Sequence, residues 1–200
     1  MKNLGTFDRL IRVIIAEACI LAAFFWAAKD LQLPLVLAAA VILIPVIKGS
    51  CGLYELLGWN SCAIVKRKDK NIKTAFIVAA LLLAVVGSFA SAVLTKNIFL
   101  DDLGSVNESY VLTLQFTGQG QRESAIVQYE KLESAFAAFQ DTYSKYRPLT
   151  VKFDENFTGQ MNNISAAISG SKEDILRGNL TSGHEELEKA GPIIEMMLDR

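Results

Sequence analysis

AFIVAALLLAVVGSFASAVL, residues 75–94, runs for twenty residues without a charge. A bilayer core of about 30 Å asks for about 20 apolar residues in a helix. The stretch therefore predicts a transmembrane helix, and the rest of the chain is read outward from it. Upstream, Val13 to Ala28 is apolar apart from Glu17, and Leu33 to Ile47 is apolar with Pro34 near its start, where a helix tolerates proline best. Both are short for full spans. With AKDLQLP as a tight turn between them, they predict a helical hairpin whose ends reach the interface. Lys2, Arg9 and Arg12 precede the first stretch as they would in a signal peptide. However, the apolar run is long for such a peptide, AAFFWAAKD is a poor cleavage site, and two further apolar segments follow, so retention is expected.

The charges divide unevenly. Residues 1–100 carry 11 Lys/Arg against 5 Asp/Glu, and residues 101–200 carry 9 against 16. The basic residues lie between apolar stretches rather than along one stripe, which argues against a nucleic-acid partner. VKRKDKNIK, residues 65–73, holds five Lys/Arg and one Asp. By the positive-inside rule this loop and the basic N-terminus belong in the cytoplasm. The expected topology is N-terminus in, three spans, and everything after the third helix outside.

A carboxylate inside a span is costly and by default a functional hypothesis. With the second helix counted from about Leu35, Glu17 and Lys48 reach similar depth, which predicts an intramembrane ion pair with Lys48 snorkelling; the alternative is a proton relay. No chain of ionisable groups continues across the membrane to favour the relay. Ala80, Ala84, Ser88 and Ala92 form a ladder of small residues that lets another helix approach closely. That helix belongs either to the hairpin or to a second copy of the chain.

CGLYELLGWNSC, residues 51–62, holds two of the three cysteines. On the cytoplasmic side a stable disulfide is not expected, and two cysteines without a nearby histidine do not close a structural zinc site. Cys51 and Cys62 read as free thiols beside basic residues, either parts of an interfacial motif or reactive groups if exposed. Gly49, Gly52 and Gly58 loosen the helix end, and Leu53, Tyr54, Leu56, Leu57 and Trp59 suit an interface. At the N-terminus, Thr6 or Asp8 is the expected helix cap, with Arg9 and Arg12 meeting headgroups.

The pattern Asn3-x-Gly5-Thr6-x-Asp8-Arg9-x-x-Arg12, combined with Cys51-Gly52-Leu53-Tyr54-x-x-Leu57-Gly58-x-x-Ser61-Cys62, resembles the YgaP-like inner-membrane transmembrane domain over about the first 64 residues. The resemblance implies a two-helix module in a bacterial plasma membrane. Some relatives attach it to a sulfur-transferring rhodanese domain; nothing in this chain looks like one. Two departures stand out. Cys51-Gly52 replaces the family's usual Cys-Pro, and Glu17 and Lys48 occupy sites where small or uncharged residues are expected.

From Asp101 onward the pattern becomes helices with one apolar stripe. Leu103, Val106, Tyr110, Leu114 and Thr117 mark the first, which GQG ends. Ile126, Tyr129, Leu132, Phe136, Phe139, Tyr143 and Tyr146 mark the second, and Pro148 stops it. Phe153, Phe157, Met161, Ile164, Ile168, Ser171 and Ile175 mark the third, and Gly178-Asn179 turns the chain. Leu180, His184, Leu187, Gly191, Ile194 and Met197 or Leu198 mark the fourth, with Thr181 as its cap and bends expected at Gly170 and Gly191-Pro192. Short connections favour an up-down bundle. His184, the chain's one histidine, is read as a core residue bonded to a tyrosine or carboxylate, with a haem ligand as the alternative. No Cys-x-x-Cys-His motif and no methionine on the first helix support haem. Glu185, Glu186 and Glu188 look like a solvated face, no metal-ligand or phosphate-loop motif appears, and no cofactor is expected.

The chain is thus expected to be all-α. Residues 1–64 form a transmembrane hairpin with an interfacial cysteine segment, 65–73 a cytoplasmic loop, 74–100 a third transmembrane helix and 101–200 a periplasmic helical bundle. The expected role is an inner-membrane protein whose acidic bundle binds a protein or small ligand rather than catalysing. The alternatives are a thiol or sulfur relay through Cys51 and Cys62, and a cofactor bundle at His184.

Overall fold

The computed structural model describes residues 4–58 and 70–200. Every regular element among them is a helix. Contacts divide the chain into Met1–Leu94 and Thr95–Arg200.

In the first unit α1 (Thr6–Phe25) and α2 (Lys29–Lys48) pack as a hairpin. α1 starts after Gly5 with no side-chain cap, because the Asp8 carboxylate turns to Arg12 one turn on, at 3.0 Å. It ends where the N–H groups of Trp26 and Ala27 both bond to the Ala22 carbonyl, at 3.0 and 2.9 Å. α2 begins at once, several residues before its apolar run, so Pro34 lies in its second turn rather than its first. Gly49 closes it in the left-handed region at φ 74°, its N–H bonded to the Pro45 carbonyl. A single turn, α3 (Gly52–Leu56), follows.

α4 runs unbroken from Lys70 to Gly118, 49 residues. By sequence this span reads as a transmembrane helix followed by a separate first helix of the bundle. Nothing between them stops a helix. No proline intervenes, Gly104 costs only about 1 kcal/mol relative to alanine, and the stripe Phe99, Leu103, Val106, Tyr110 keeps helical spacing through the acidic residues. Within the first unit α4 runs beside α1 in the same chain direction. Phe7 meets Phe76 edge-on at 5.7 Å, and Trp26 Nε1 donates to Ser91 Oγ at 3.1 Å.

α2 and α4 are long and apolar enough to cross a membrane. Leu33, Val41 and Ile47 on α2, and Leu81, Val85 and Phe89 on α4, are exposed. A helix that is apolar all round is buried in protein or bathed in lipid. With these side chains exposed, lipid is the solvent that accounts for them.

The second unit is a bundle of four helical rods: the distal part of α4, then α5 (Arg122–Lys145), α7 (Phe157–Arg177), and α8 (Leu180–Glu188) continued by α9 (Gly191–Leu198). The single turn α6 (Leu149–Lys152) bridges α5 and α7. Gly120 and Gly178, at φ 72° and 89°, close α4 and α7 with carbonyl bonds that reach back over the last turn. The core holds Phe99, Phe139, Tyr143 and Phe157 at one end and Tyr129, Leu132, Ile164, Ile168 and Leu187 beyond them. Tyr129 donates to the Ile168 carbonyl at 2.6 Å, and Tyr143 to Asp102 Oδ2 at 2.7 Å. Burial pushes the Tyr129 hydroxyl up to about 12. It pushes that of Tyr143 further still, aided by the Asp102 carboxylate.

Several stripe positions shift by one residue. Ala125 rather than Ile126 and Thr113 rather than Leu114 are fully buried, and Thr113 satisfies its hydroxyl on the Ser109 carbonyl one turn back. Phe153 precedes α7 and is 75% exposed, although its spacing had placed it on the α7 stripe. α7 passes through Gly170 without a break, and the glycine instead makes room for Glu186. The break at Gly191-Pro192 is present, between α8 and α9.

Candidate functional site

The two sequence motifs of the first unit meet at Arg12. Its guanidinium pairs with Asp8 at 3.0 Å, approaches Cys51 Sγ at 4.0 Å and lies over the Tyr54 ring at 5.4 Å. Arg9 turns back to the Leu4 carbonyl at 3.3 Å. Arg12 therefore serves as a clasp between α1 and the 51–58 segment rather than as a free headgroup contact, because an ion pair and a cation–π contact hold it on the protein. Cys51 is 3% exposed. A thiol reacts as an accessible thiolate, so this burial works against a relay through Cys51. Cys62, Trp59 and residues 65–69 of the basic loop lie outside the described residues. Cys19, half-buried, is the other cysteine among the described residues.

Glu17 and Lys48 do not come together. No ion pair joins them among the described residues; Lys48 is exposed, while Glu17 Oε2 is buried with no hydrogen-bond partner. The reason is where α2 begins. With the helix starting at Lys29, Lys48 lies at its far end, and Glu17 lies near the middle of α1. At about 1.5 Å per residue the two differ in depth by about 16 Å. Glu17 instead lines a groove of about 420 Å³ with residues of α1, α2 and α4. Three of the four ladder residues, Ala80, Ala84 and Ser88, line the same groove, so this part of the ladder faces the hairpin. Gly87 continues that close approach, since a Cβ there would come to 3.0 Å from Leu21 Cδ1.

In the bundle His184 is half-buried between α8 and α4. Its Nδ1 lies 2.8 Å from Thr117 Oγ1, and its Nε2 lies 3.4 Å from Glu188 Oε1. The Thr117 hydroxyl gives its one proton to the helix carbonyls of Thr113 and Leu114, at 2.9 and 3.0 Å. In the tautomer protonated at Nδ1, the Thr117 oxygen accepts from the ring; in the tautomer protonated at Nε2, the ring donates toward Glu188. Both ring nitrogens thus face protein groups, an arrangement suited to tying α8 to α4 and poorly suited to an axial haem ligand. The carboxylate partner was legible from the i,i+4 spacing of His184 and Glu188. The threonine was not, because its hydroxyl sits on a stripe read as apolar. Gly183, not His184, takes the buried stripe position. A Cβ there would lie 2.7 Å from Ile175 Cγ1, so the closest approach of α8 to α7 is built on glycine.

Among the described residues no three His, Cys, Asp or Glu side chains gather as metal ligands do. In comparisons with known proteins, the model of the family described as inner membrane protein YgaP-like, transmembrane domain, matches residues 1–64. No curated protein and no solved structure matches the chain. The matched region holds both halves of the Arg12 clasp, so Asp8 and Arg12 of the first motif and Cys51 and Tyr54 of the second are neighbours in space. Over residues 1–64, then, the chain is similar to the transmembrane domain of YgaP-like inner membrane proteins, and together with the apolar helices α2 and α4 this makes it an inner-membrane protein.

Proposed function

We propose that the protein crosses the inner membrane three times and holds its bundle in the periplasm as a module that binds a partner protein. The observation that carries this reading is the parallel run of α1 and α4. Two neighbouring helices of the same direction put Thr6 and Lys70 at one end, and α2 supplies the return crossing between them. The basic N-terminus and the basic loop then share a side. The positive-inside rule assigns that side to the cytoplasm and the distal end of α4 to the periplasm.

A protein partner fits the bundle better than a small ligand does. Its interior is filled by large side chains. A groove lined by Asp102, Ala135 and Phe139 measures about 230 Å³, and another beside Arg147 and Met161 about 70 Å³. Pockets for drug-sized ligands run from about 300 to 1,000 Å³. Recognition then falls to the surface, where Phe153 and Val127 stand exposed on an acidic exterior. A photocrosslinking amino acid placed at Phe153 and at Val127 in living cells tests this. A discrete protein adduct from at least one position is the expected result. Lipid adducts alone, or none from either position, would count against a protein-binding bundle.

A further inference from the structure

We propose that the groove beside Glu17 is a binding site for a lipophilic monocation, an ammonium or phosphonium carried on an apolar body. Glu17 lies eight residues from the end of α1 and eleven from its start, so the carboxylate sits nearly halfway along a helix about 30 Å long. The groove is walled by Ala16 and Ile20 of α1, Leu43 of α2 and Ala84 and Ser88 of α4, and its volume of about 420 Å³ falls within the range of small-molecule sites. Among the described residues that line it, the polar side chains are Glu17 and Ser88. Glu17 Oε2 is shielded from solvent and has no hydrogen-bond partner.

A carboxylate at such depth requires a counter-charge or a proton. Among the described residues the protein supplies no counter-charge there: none of those lining the groove is Lys, Arg or His, and Lys48 is offset by about 16 Å in depth. A second copy of the chain does no better. The stretches 33–47 and 75–94 contain no basic residue, and a copy in the same orientation brings its Lys48 to the same wrong level. The occupant that complements the groove with Glu17 ionised brings its own positive charge and an apolar surface matching alanine, leucine and isoleucine walls. The small side chains of the α4 ladder make the volume it fills.

This inference rests on reading α1 as a membrane span. That reading is tested separately by topology labelling, which does not depend on Glu17. The site itself is tested with tetraphenylphosphonium on the purified full-length protein in detergent. Tetraphenylborate serves as a probe of the same shape and opposite charge. Saturable binding of the cation at one site per chain is expected, with no saturable binding of the anion. Glu17→Gln, which removes only the charge, and Ala84→Phe, which fills the groove, should each weaken cation binding at least about tenfold, with helicity and thermal melting as in the wild type. If only one variant folds, its binding decides. No saturable cation binding, or equal binding by Glu17→Gln, overturns the proposal. So does an Ala84→Phe variant that separates a dimer into monomers while binding the cation as before, because the groove then belongs to a second copy.

Discussion

Thr117 and His184 show how a single hydroxyl can occupy a ring nitrogen. Thr117 bonds both its own helix and His184 Nδ1, and Glu188 faces Nε2, so the histidine ties α8 to α4 instead of offering a free nitrogen. Thr117→Val keeps the shape and removes the hydroxyl partner. The bundle should lose about 1 kcal/mol of stability, the usual net worth of one such bond, in denaturant unfolding. In nitrogen-15 histidine spectra the Nδ1 resonance should shift when its hydroxyl partner is removed. An unchanged spectrum would rule out the Thr117–His184 hydrogen bond. Arg12 carries a similar lesson at the other end of the chain. Its type and position predicted a headgroup contact. Asp8, Cys51 and Tyr54 claim it instead, because a charged group at an interface takes protein partners when they are within reach.

Helix boundaries explain most of what the sequence did and did not reveal. The stripes of α5 and α7 were legible almost residue by residue, since Tyr129, Leu132, Phe136, Phe139 and Tyr143, and then Phe157, Met161, Ile164 and Ile168, repeat at the helical period. Where α2 starts was not legible, because Lys29, Asp30 and Gln32 look like a turn yet extend the helix. Those few residues moved Lys48 to a different depth from Glu17. The continuity of α4 was hidden in the same way, the two aspartates at 101 and 102 marking a change of solvent and not a change of backbone. Packing by absence is the least visible feature in sequence. Gly183 reads as a helix weakener, yet Ile175 fills the space its missing side chain leaves. Gly183→Ala raises helix propensity but drives a methyl group into Ile175. Overpacking of this kind costs about 1–3 kcal/mol, more than the propensity gain of about 1 kcal/mol. Thermal melting should therefore show net destabilisation, and a more stable variant would contradict the close α7–α8 packing.

For the whole molecule, the proposed topology turns on the orientation of one long helix. α4 carries an uncharged segment that demands lipid and a striped segment that demands a bundle core. In the topology proposed above, α1 and α4, which run in parallel, enter the membrane from the same side, and the positive-inside rule puts the loop in the cytoplasm and the bundle in the periplasm. Membrane character and the helical bundle were both readable from composition and period. The match over residues 1–64 adds the inner membrane. The most direct measurement is cysteine labelling in intact cells with a maleimide that passes the outer membrane and not the inner one, in a background where Cys19, Cys51 and Cys62 are replaced by serine. Glu155→Cys, on the exposed surface of the bundle, should be labelled in whole cells. Lys68→Cys, in the basic loop, should be labelled only after the inner membrane is opened. The reverse pattern, or labelling of both positions in whole cells, would contradict the three-span topology and the placing of the bundle in the periplasm.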